Sequence, residues 1–284
     1  MAVVFDGIAY GLQLGLLAVG LTLIYGLGGV LNLAHGQFAV VTAIAATVLV
    51  DAGLPMPLAI LAAIALAGVL ALAFDASLMR PVYRLRGEAR VLLSLLLTIG
   101  AAFVIDGLLI YYYPFAALNV DISGSAVNVL GVAMRRGSLA ASLLAVLALG
   151  TLILFLRYTR RGKAVRSVIQ DEEGAQLCGI NPARVRTAVF VLSGVLAGVA
   201  AVAEGLTSSL GATDGLDLTI LALIVTVVGG LGSVAGALVA GLLLGIVYTL
   251  SSFYIGAYVT FIILLLAAML TILVRPSGLM GKGA

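Results

Sequence analysis

Charged residues are scarce in this chain. Of its 284 residues, 10% are Asp, Glu, Lys or Arg, and 63% belong to the hydrophobic set AVILMFWYC. A soluble domain has roughly 25% charged residues and roughly 45–50% apolar ones. With a mean hydropathy of +1.27, too few charges remain to cover the surface of a globule in water. The composition therefore excludes a soluble protein and indicates an integral membrane protein.

Residues that form disulfides or bind metals are almost absent. The single cysteine, Cys178, excludes a disulfide framework and a cysteine-based metal cluster. The single histidine, His35, excludes a metal site with several histidine ligands. No pair of His and Glu, and no arrangement of Ser and Lys, suggests an intramembrane enzyme. We therefore expect no metal, no catalytic residue and no enzymatic activity in this chain.

A phosphate-binding loop is absent as well. The pairs Gly162-Lys163 and Gly281-Lys282 are followed by Ala and Gly, and not by the Ser or Thr that the Gly-x-x-x-x-Gly-Lys-Ser/Thr motif requires. We expect no cofactor in this chain, so any ATP that drives it must be used by another polypeptide. The net charge of +3 reflects membrane topology, and no nucleic acid partner is expected.

Charge-free runs mark the membrane spans, each of which needs about 20 apolar residues. Two long runs carry several spans: 7–50 is long enough for two, and 218–274 for two spans and a half-helix or for three short spans. One span each is expected from the remaining runs, which are 52–74, 91–105 with its continuation to about Tyr113, 137–156 and 187–203. We predict an all-α integral membrane protein with eight to nine transmembrane helices and a single domain, 1–284. The first apolar stretch has no basic residue before it, which favours a retained span over a signal peptide.

The cations predict the orientation of these spans. Thirteen of the 15 Lys and Arg residues fall within 80–90, 157–186 and 275–282. The positive-inside rule places these three segments in the cytoplasm. The N-terminus and the loop 114–136 are then on the outer side, although Arg135 and Arg136 depart from the rule.

The cytoplasmic segment 157–186 is longer and more polar than a connection requires. Its composition predicts a helix over Ala164–Leu177, with Gly179 in the left-handed position that follows a helix end. Asn181 and Pro182 are typical of an N-cap and a first helical residue. This helix is either a docking element for a soluble partner or an interfacial helix on lipid, and the acids 171–173 argue mildly against lipid.

Two glycine-rich stretches, 20–38 and 228–236, interrupt apolar runs in the two halves of the chain. Paired interruptions of this kind indicate discontinuous helices around a path at the middle of the membrane. The alternative is close helix packing through small residues, which Gly194-x-x-x-Gly198 and Gly241-x-x-x-Gly245 fit equally well.

Asn32, His35 and Gln37 place three polar side chains within six residues of the first stretch. They could line a path, or His35 could be a hydrogen-bonded structural residue. A further alternative is an ion-coupled carrier that uses His35 and Asp106, although no acid accompanies His35 in its own run.

Three motifs resemble one family. The first is Gly20-Leu-Thr-Leu-Ile-Tyr-Gly26 with Val30-Leu-Asn-Leu-Ala-His-Gly-Gln-Phe38, the second is 161–181, and the third is Val228-Gly-Gly-Leu-Gly-Ser-Val-Ala-Gly236. In this order they resemble the permeases of branched-chain amino-acid ABC importers, the LivH type. The likeness runs from about residue 11 to the end. Gln37 stands where this family frequently has Glu.

The resemblance implies a permease domain in the bacterial inner (plasma) membrane. Its partners would be a second permease (LivM-like or an identical copy), two ATP-binding-cassette ATPases, a periplasmic substrate-binding protein and the lipid bilayer. The substrate would be a branched-chain amino acid or, alternatively, urea, a short amide or another amino acid. The implied lining of the translocation path is Thr22, Tyr25, Asn32, His35, Gln37, Gly230 and Ser233. The implied coupling loop, 157–186, would engage the ATPases through Gly162, Arg166, Asp171, Glu172, Ala175, Gly179, Ile180 and Asn181.

Overall fold

The computed structural model describes residues 2–120, 127–129 and 132–281. The elements of this described part are, in chain order, α1 (Ala2–Gly28), α2 (His35–Asp51), α3 (Met56–Phe74), α4 (Arg80–Val82), α5 (Glu88–Tyr112), β1 (Ala117–Leu118), β2 (Val127–Val129), β3 (Val132–Met134), α6 (Arg136–Tyr158), α7 (Arg160–Gln170), α8 (Glu172–Leu177), α9 (Pro182–Gly205), β4 (Leu210–Gly211), α10 (Gly215–Gly229), α11 (Val234–Tyr254) and α12 (Ala257–Val274).

Seven helices of the described chain are long and apolar enough to cross a membrane. One of them is α3 together with a π-helical turn, Asp75–Met79, and α4. The π-turn ends two residues before Pro81 of α4, whose missing N–H group removes one hydrogen bond of a regular helix. The apolar helices α2 and α10 are shorter, with 17 and 15 residues. The predicted all-α membrane fold with eight to nine helices is confirmed.

Helix α1 lies at the centre of the bundle. Its apolar window is 83% buried, whereas those of α5 and α12 are 17% buried and present large apolar side chains outward. Glycines bring α1 against α11: a Cβ atom at Gly11 would lie 2.8 Å from the Gly241 carbonyl oxygen, and one at Gly7 2.9 Å from Ile246 Cα. Only glycine permits backbones to approach this closely. The glycines of α1 and α11 therefore serve close helix packing, the alternative to helix interruption.

The cationic segments meet at one end of the bundle. Arg90 Nη1 donates to the Gly28 carbonyl oxygen (3.0 Å), and Arg186 Nε donates to that of Leu27 (3.4 Å). The end of α1, the start of α5 and the start of α9 therefore lie together. The positive-inside rule identifies this as the cytoplasmic end. Lys282 of the third segment, and 121–126 and 130–131 of the predicted outer loop, lie outside the described residues.

Both glycine-rich stretches interrupt helices, as predicted, but neither interruption is centred in the membrane. Helix α1 ends at Gly28 among the cytoplasmic arginines, and the chain then returns to the level of Leu17, where α2 begins. The second stretch is a turn between α10 and α11. A Cβ atom at Gly26, near the cytoplasmic end of α1, would lie 3.3 Å from Gly232 Cα. The middle of the membrane holds instead the N-terminal ends of the half-helices α2 and α10.

The predicted helix Ala164–Leu177 is wrong in one respect, because it is two helices. Asp171 has extended backbone (φ −155°, ψ 106°), and its side chain accepts a hydrogen bond from the Gly174 N–H (3.0 Å). Asp171 thus ends α7 and caps α8, where two glutamates favour the helix start. The end is as predicted: Gly179 has φ +80°, and the Ile180 N–H bonds the Ala175 carbonyl oxygen (3.0 Å).

At the outer end, two short antiparallel ladders tie the connections. β1 pairs with β4 through Leu118 and Leu210, which are both buried, and β2 pairs with β3. The first ladder joins the connection after α5 to the connection between α9 and α10. It therefore fixes the segment that leads back into the membrane before α10 begins.

Candidate translocation path and coupling surface

The half-helices α2 and α10 meet end to end. The Gly36 N–H donates to Thr219 Oγ1 (2.8 Å), which also donates to the Gly215 carbonyl oxygen (2.9 Å). A Cβ atom at Gly36 would overlap that carbonyl group, so the contact requires glycine. Two positive helix ends therefore face each other at mid-membrane, and the Thr219 hydroxyl lies between them.

His35 anchors the start of α2 to the middle of α1. Its Nε2 donates to the Leu17 carbonyl oxygen (3.1 Å), and the ring lies against Gly20, where a Cβ atom would be 2.9 Å from it. Its Nδ1 has no partner among the described residues. Of the two possibilities that the sequence left open, the hydrogen-bonded structural role accounts for these contacts. A role in the path remains a proposal.

The linker between α1 and α2 has no regular secondary structure, yet its backbone is satisfied by α5. The Leu31 N–H donates to Ser94 Oγ (3.2 Å), and the Leu33 N–H donates to Thr98 Oγ1 (3.0 Å). Asn32 Oδ1 accepts from the Ala34 N–H (3.0 Å). Irregular backbone at membrane depth is stable only with such partners. Two small hydroxyl residues on α5 thus hold the broken segment in place.

A second hydroxyl pair links α1 to α10. Thr22 Oγ1 donates to Thr226 Oγ1 (3.4 Å), which in turn donates to the Ala18 carbonyl oxygen (3.2 Å). Gln37 is 0% exposed, and its amide packs against Gly215, where a Cβ atom would overlap Gln37 Oε1. The amide also faces the Asp106 carboxyl of α5, with which it makes no hydrogen bond of ordinary geometry.

The structure therefore brings Thr22, Asn32, His35 and Gln37 together, and it separates the other three candidate path residues from them. Gly230 packs against the backbone of 277–281, and Ser233 Oγ caps α11 by accepting from the Gly236 N–H (3.1 Å). Tyr25 lines a cavity of about 510 Å³ near the cytoplasmic arginines. The four central residues are each 0% exposed, so this conformation closes them off from water on both sides.

The predicted coupling residues form one segment, but only some of them reach its surface. Gly162 and Ala175 are buried, and a Cβ atom at Gly162 would overlap the backbone of α6. Asn181 Oδ1 caps α9 by accepting from the Arg184 N–H (3.2 Å), and Ile180 packs against the core. The exposed residues Arg166, Asp171 and Gly179 belong to the outer face, and partly buried Glu172 turns towards α9. The buried residues of the segment fix its conformation, and the exposed residues are accessible to a partner protein.

Arg186 joins this segment to the membrane helices. Its guanidinium pairs with Glu172 of α8, donates to the Leu27 carbonyl oxygen of α1 and lies 5.0 Å from the centre of the Tyr83 ring. We call this set of contacts the Arg186 bridge. Burial, and to a lesser extent the carboxylate of Asp75, raises the pKa of Tyr83 above its usual range, so the phenol stays neutral. A neutral ring face is the partner that a stacked arginine requires.

The model of the family described as branched-chain amino acid transport system / permease component matches residues 3–274. The chain belongs to this family. It is 29% identical to the high-affinity branched-chain amino acid transport system permease protein LivH of Escherichia coli K12, over 98% of this chain and 94% of that protein. It is 30% identical to the corresponding BraD protein of Pseudomonas aeruginosa, with the same coverage, and 27% identical to a probable LivH of Methanocaldococcus jannaschii, over 96% of this chain and 90% of that one.

As a member of this permease family, the chain is a membrane subunit of an ABC importer. Its membrane helices and its family place it in the inner membrane as a multi-pass protein. The family-level resemblance seen in the sequence motifs is confirmed. The alternative of an ion-coupled carrier is not supported.

Several residues of this permease escaped the sequence reasoning. Thr219, Thr226 and Thr98 stand alone in apolar runs, where a threonine commonly bonds its own helix, and nothing local reveals their contacts with α1 and α2. Arg186 was counted only as a topology cation. Its position one turn inside α9, four residues after Pro182, could have indicated a partly buried side chain.

Proposed function

We propose that this permease imports branched-chain amino acids as one of two membrane subunits, the other being LivM-like or an identical copy. Two ATP-binding-cassette ATPases, which use the ATP, would dock on the coupling loop 157–186. A periplasmic substrate-binding protein would deliver the amino acid to the outer end. No cofactor is expected in the permease itself.

The docking role of 157–186 rests on the shape of α7 and α8. Helix α7 buries Val165 and Val168 against the bundle and turns Arg166 outward. Leu177, at the end of α8, is 90% exposed beside Gly179. A large apolar side chain on an otherwise polar surface is typical of an anchor for a groove on a partner protein. This residue would insert into the ATPase.

The Arg186 bridge is the observation that carries the coupling proposal. It joins α8 to the end of α1, where the linker to α2 begins. A displacement of α8 by the ATPases is therefore transmitted to the segment that holds Asn32 and His35. Because that segment has no regular secondary structure and its backbone is held by side-chain hydroxyl groups of α5, it is the part of the closed core that a small displacement can rearrange.

The substrate class is supported by the relatives' names and by the central geometry. Two positive helix ends at mid-membrane suit the carboxylate of an amino acid. The surrounding core is apolar, with Phe38 and Phe190 among its largest fully buried side chains. An apolar amino acid side chain is compatible with such a path.

Reconstitution tests this function. Proteoliposomes would contain the permease with its second permease, the ATPases and the binding protein, or lack one component, and ATP-dependent uptake of radiolabelled L-leucine would be measured. Uptake only with all components supports the proposal. Uptake by the permease alone would contradict it, and uptake of urea or a short amide in place of leucine would contradict the substrate assignment.

A second experiment tests the proposed contact of Leu177 with the ATPase. Leu177→Ser should lower ATPase co-purification and uptake together. Leu147→Ser is the matched control, because Leu147 is also exposed but lies in the middle of α6, away from the cytoplasmic end. Equal loss in both variants would show a general folding defect and contradict the docking role.

A further inference from the structure

A polar cavity opens at the outer end between α1, α6, α9 and α11. It has a volume of about 510 Å³, within the roughly 300–1,000 Å³ of small-molecule sites. Its lining combines charged, hydroxyl and amide side chains with aromatic and apolar surface: Asp6, Ala9, Tyr10, Gln13, Arg135, Ser138, Glu204, Thr207, Ser208, Tyr248, Thr249, Ser252 and Phe253. A lining that joins charged groups to apolar surface suits a ligand of mixed polarity better than lipid. We call it the outer cavity.

Charges of both signs face this cavity without neutralising one another. Asp6 and Glu204 contribute carboxylates, and Arg135 contributes a guanidinium. Within the described part of the chain, no ion pair joins Arg135 to either acid. The polar contact of Glu204 is with Ser208, whose hydroxyl donates to Oε1 (2.6 Å). The cavity can therefore offer an anionic and a cationic partner at the same time.

Gln13 is an independent sign of a ligand-binding site. It lines the cavity from α1 and is only 3% exposed, yet neither its amide oxygen nor its amide nitrogen has a partner in the described chain. Leaving a buried polar group unsatisfied is costly, and each such group calls for an explanation. A polar molecule in the cavity would supply both a donor and an acceptor.

The outer cavity is aligned with the closed centre of the permease. On α1, Gln13 lies one turn above Leu17, whose carbonyl oxygen binds His35. On α9, Glu204 lies on the same face as Ser193, a buried residue whose hydroxyl has no partner among the described residues and whose carbonyl oxygen lies near Gly20. Gln13 on α1 and Ser193 on α9 are thus two polar side chains, unpaired within the described chain, between the cavity and the central His35.

We propose that the outer cavity is a binding site for a zwitterionic amino acid, occupied after release from the binding protein and before passage through the centre. The acids Glu204 and Asp6 bind the ammonium group, and Arg135 binds the carboxylate. Gln13 orients the ligand from below. The rings of Tyr10 and Tyr248, whose centres are 4.5 Å apart, provide the apolar wall for its side chain. This inference rests on the proposed function, since it assigns where that substrate binds.

Uptake kinetics in the complete reconstituted system give the first test. Glu204→Gln and Arg135→Gln should each raise the KM for L-leucine by about tenfold or more, the range expected for losing a hydrogen bond to a charged group. Stimulation of the ATPases by the liganded binding protein should persist. Asp51→Asn is the matched control, because this carboxylate is also exposed at the outer end but lies outside the cavity.

Cysteine protection gives a direct readout of binding. In right-side-out vesicles, Ser252→Cys should react with a membrane-impermeant thiol reagent, and saturating L-leucine should slow the reaction while L-glutamate does not. Asp51→Cys should react equally with and without leucine. Cys178 is at the cytoplasmic end, and vesicles with the unsubstituted chain provide the labelling blank.

The outcomes separate this inference from the proposed function. One outcome would overturn the cavity site and leave the importer function intact. In it, the unsubstituted complex transports leucine, both charge variants have an unchanged KM for leucine, and leucine does not protect Ser252→Cys. If the charge variants lose ATPase stimulation while the KM for leucine is unchanged, Glu204 and Arg135 serve to dock the binding protein. This result would also overturn the cavity site. If a charge variant does not assemble, the protection experiment decides alone.

Discussion

Replacing Arg186 with Gln should uncouple ATP hydrolysis from transport. The substitution removes three contacts: the ion pair with Glu172, the hydrogen bond to the Leu27 carbonyl oxygen and the stacking on Tyr83. Glu172 is 38% exposed, so solvent screening limits the pair to about 0.5–1 kcal/mol. The long hydrogen bond adds about 1 kcal/mol and the stacking about 0.5–2 kcal/mol. The tie between α8 and α1 then loses roughly 2–4 kcal/mol, and its lower limit corresponds to about 30-fold in an equilibrium constant.

The assay is the ratio of leucine transported to ATP hydrolysed in proteoliposomes. ATP hydrolysis takes place in the ATPases, so we expect its rate to be largely retained while uptake falls at least tenfold. Arg184→Gln is the matched control. Arg184 lies two residues earlier, is exposed, and its guanidinium makes no hydrogen bond or ion pair in the described part of the chain. It should keep the normal ratio.

A double-mutant cycle with Glu172→Gln isolates the pair. If Glu172 acts on transport through Arg186, the two substitutions together should cost less than the sum of their separate effects. An unchanged transport ratio in Arg186→Gln, or an equal loss in Arg184→Gln, would refute the reasoning. An unchanged ratio in Arg186→Gln would mean that coupling uses another contact. An equal loss in Arg184→Gln would mean that coupling depends only on the positive charge of this surface.

Three further predictions concern packing, the turn after α8 and the broken helix. Gly11→Ala should lower the Tm of the purified protein, because the alanine Cβ would lie 2.8 Å from the α11 backbone and overpacking costs about 1–3 kcal/mol. Gly150→Ala should leave the Tm unchanged, since a Cβ atom there has no neighbour within 4 Å in the described chain. Gly179→Ala should reduce co-purification of the ATPases, since the φ of +80° costs alanine about 1–2 kcal/mol, and Gly179→Asn should restore most of it. Thr98→Val should sharply reduce leucine uptake, as a linker amide loses its acceptor at a cost of about 1–3 kcal/mol, whereas Thr151→Val at an exposed site should transport normally. Unchanged values for Gly11→Ala, Gly179→Ala or Thr98→Val would each contradict the corresponding contact.

Local signals carry much of this fold. The long spans follow from hydropathy, and the Asn181 cap and the Gly179 turn follow from chemistry within a few residues. The division of 164–177 was missed although its signal was present, since Asp171 followed by two glutamates is a typical helix start. The competing apolar pattern through Val168 and Leu177 concealed it.

The centre of the site could not be predicted in the same way. Gly36 meets Gly215 and Thr219 only because two half-helices from distant parts of the chain end at the same depth. Hydropathy reports whether a residue tolerates the membrane and not how deep it lies. For the same reason, Gly230 and Ser233 were predicted to line the same path as His35, whereas they form a turn near the cytoplasmic end.

The close glycine contact between α1 and α11 has a consequence for biogenesis. Helix α1 is synthesised well before some of the helices that it contacts, since Thr22 and Thr226 are separated by 204 residues. At typical synthesis rates the first helix waits about 10–40 s for them. During this time Gln13 and the glycine face of α1 are exposed to lipid or to the insertion machinery. Truncation after α9 removes α11, so the glycine face of α1 should stay uncovered and make this helix a target for membrane proteases.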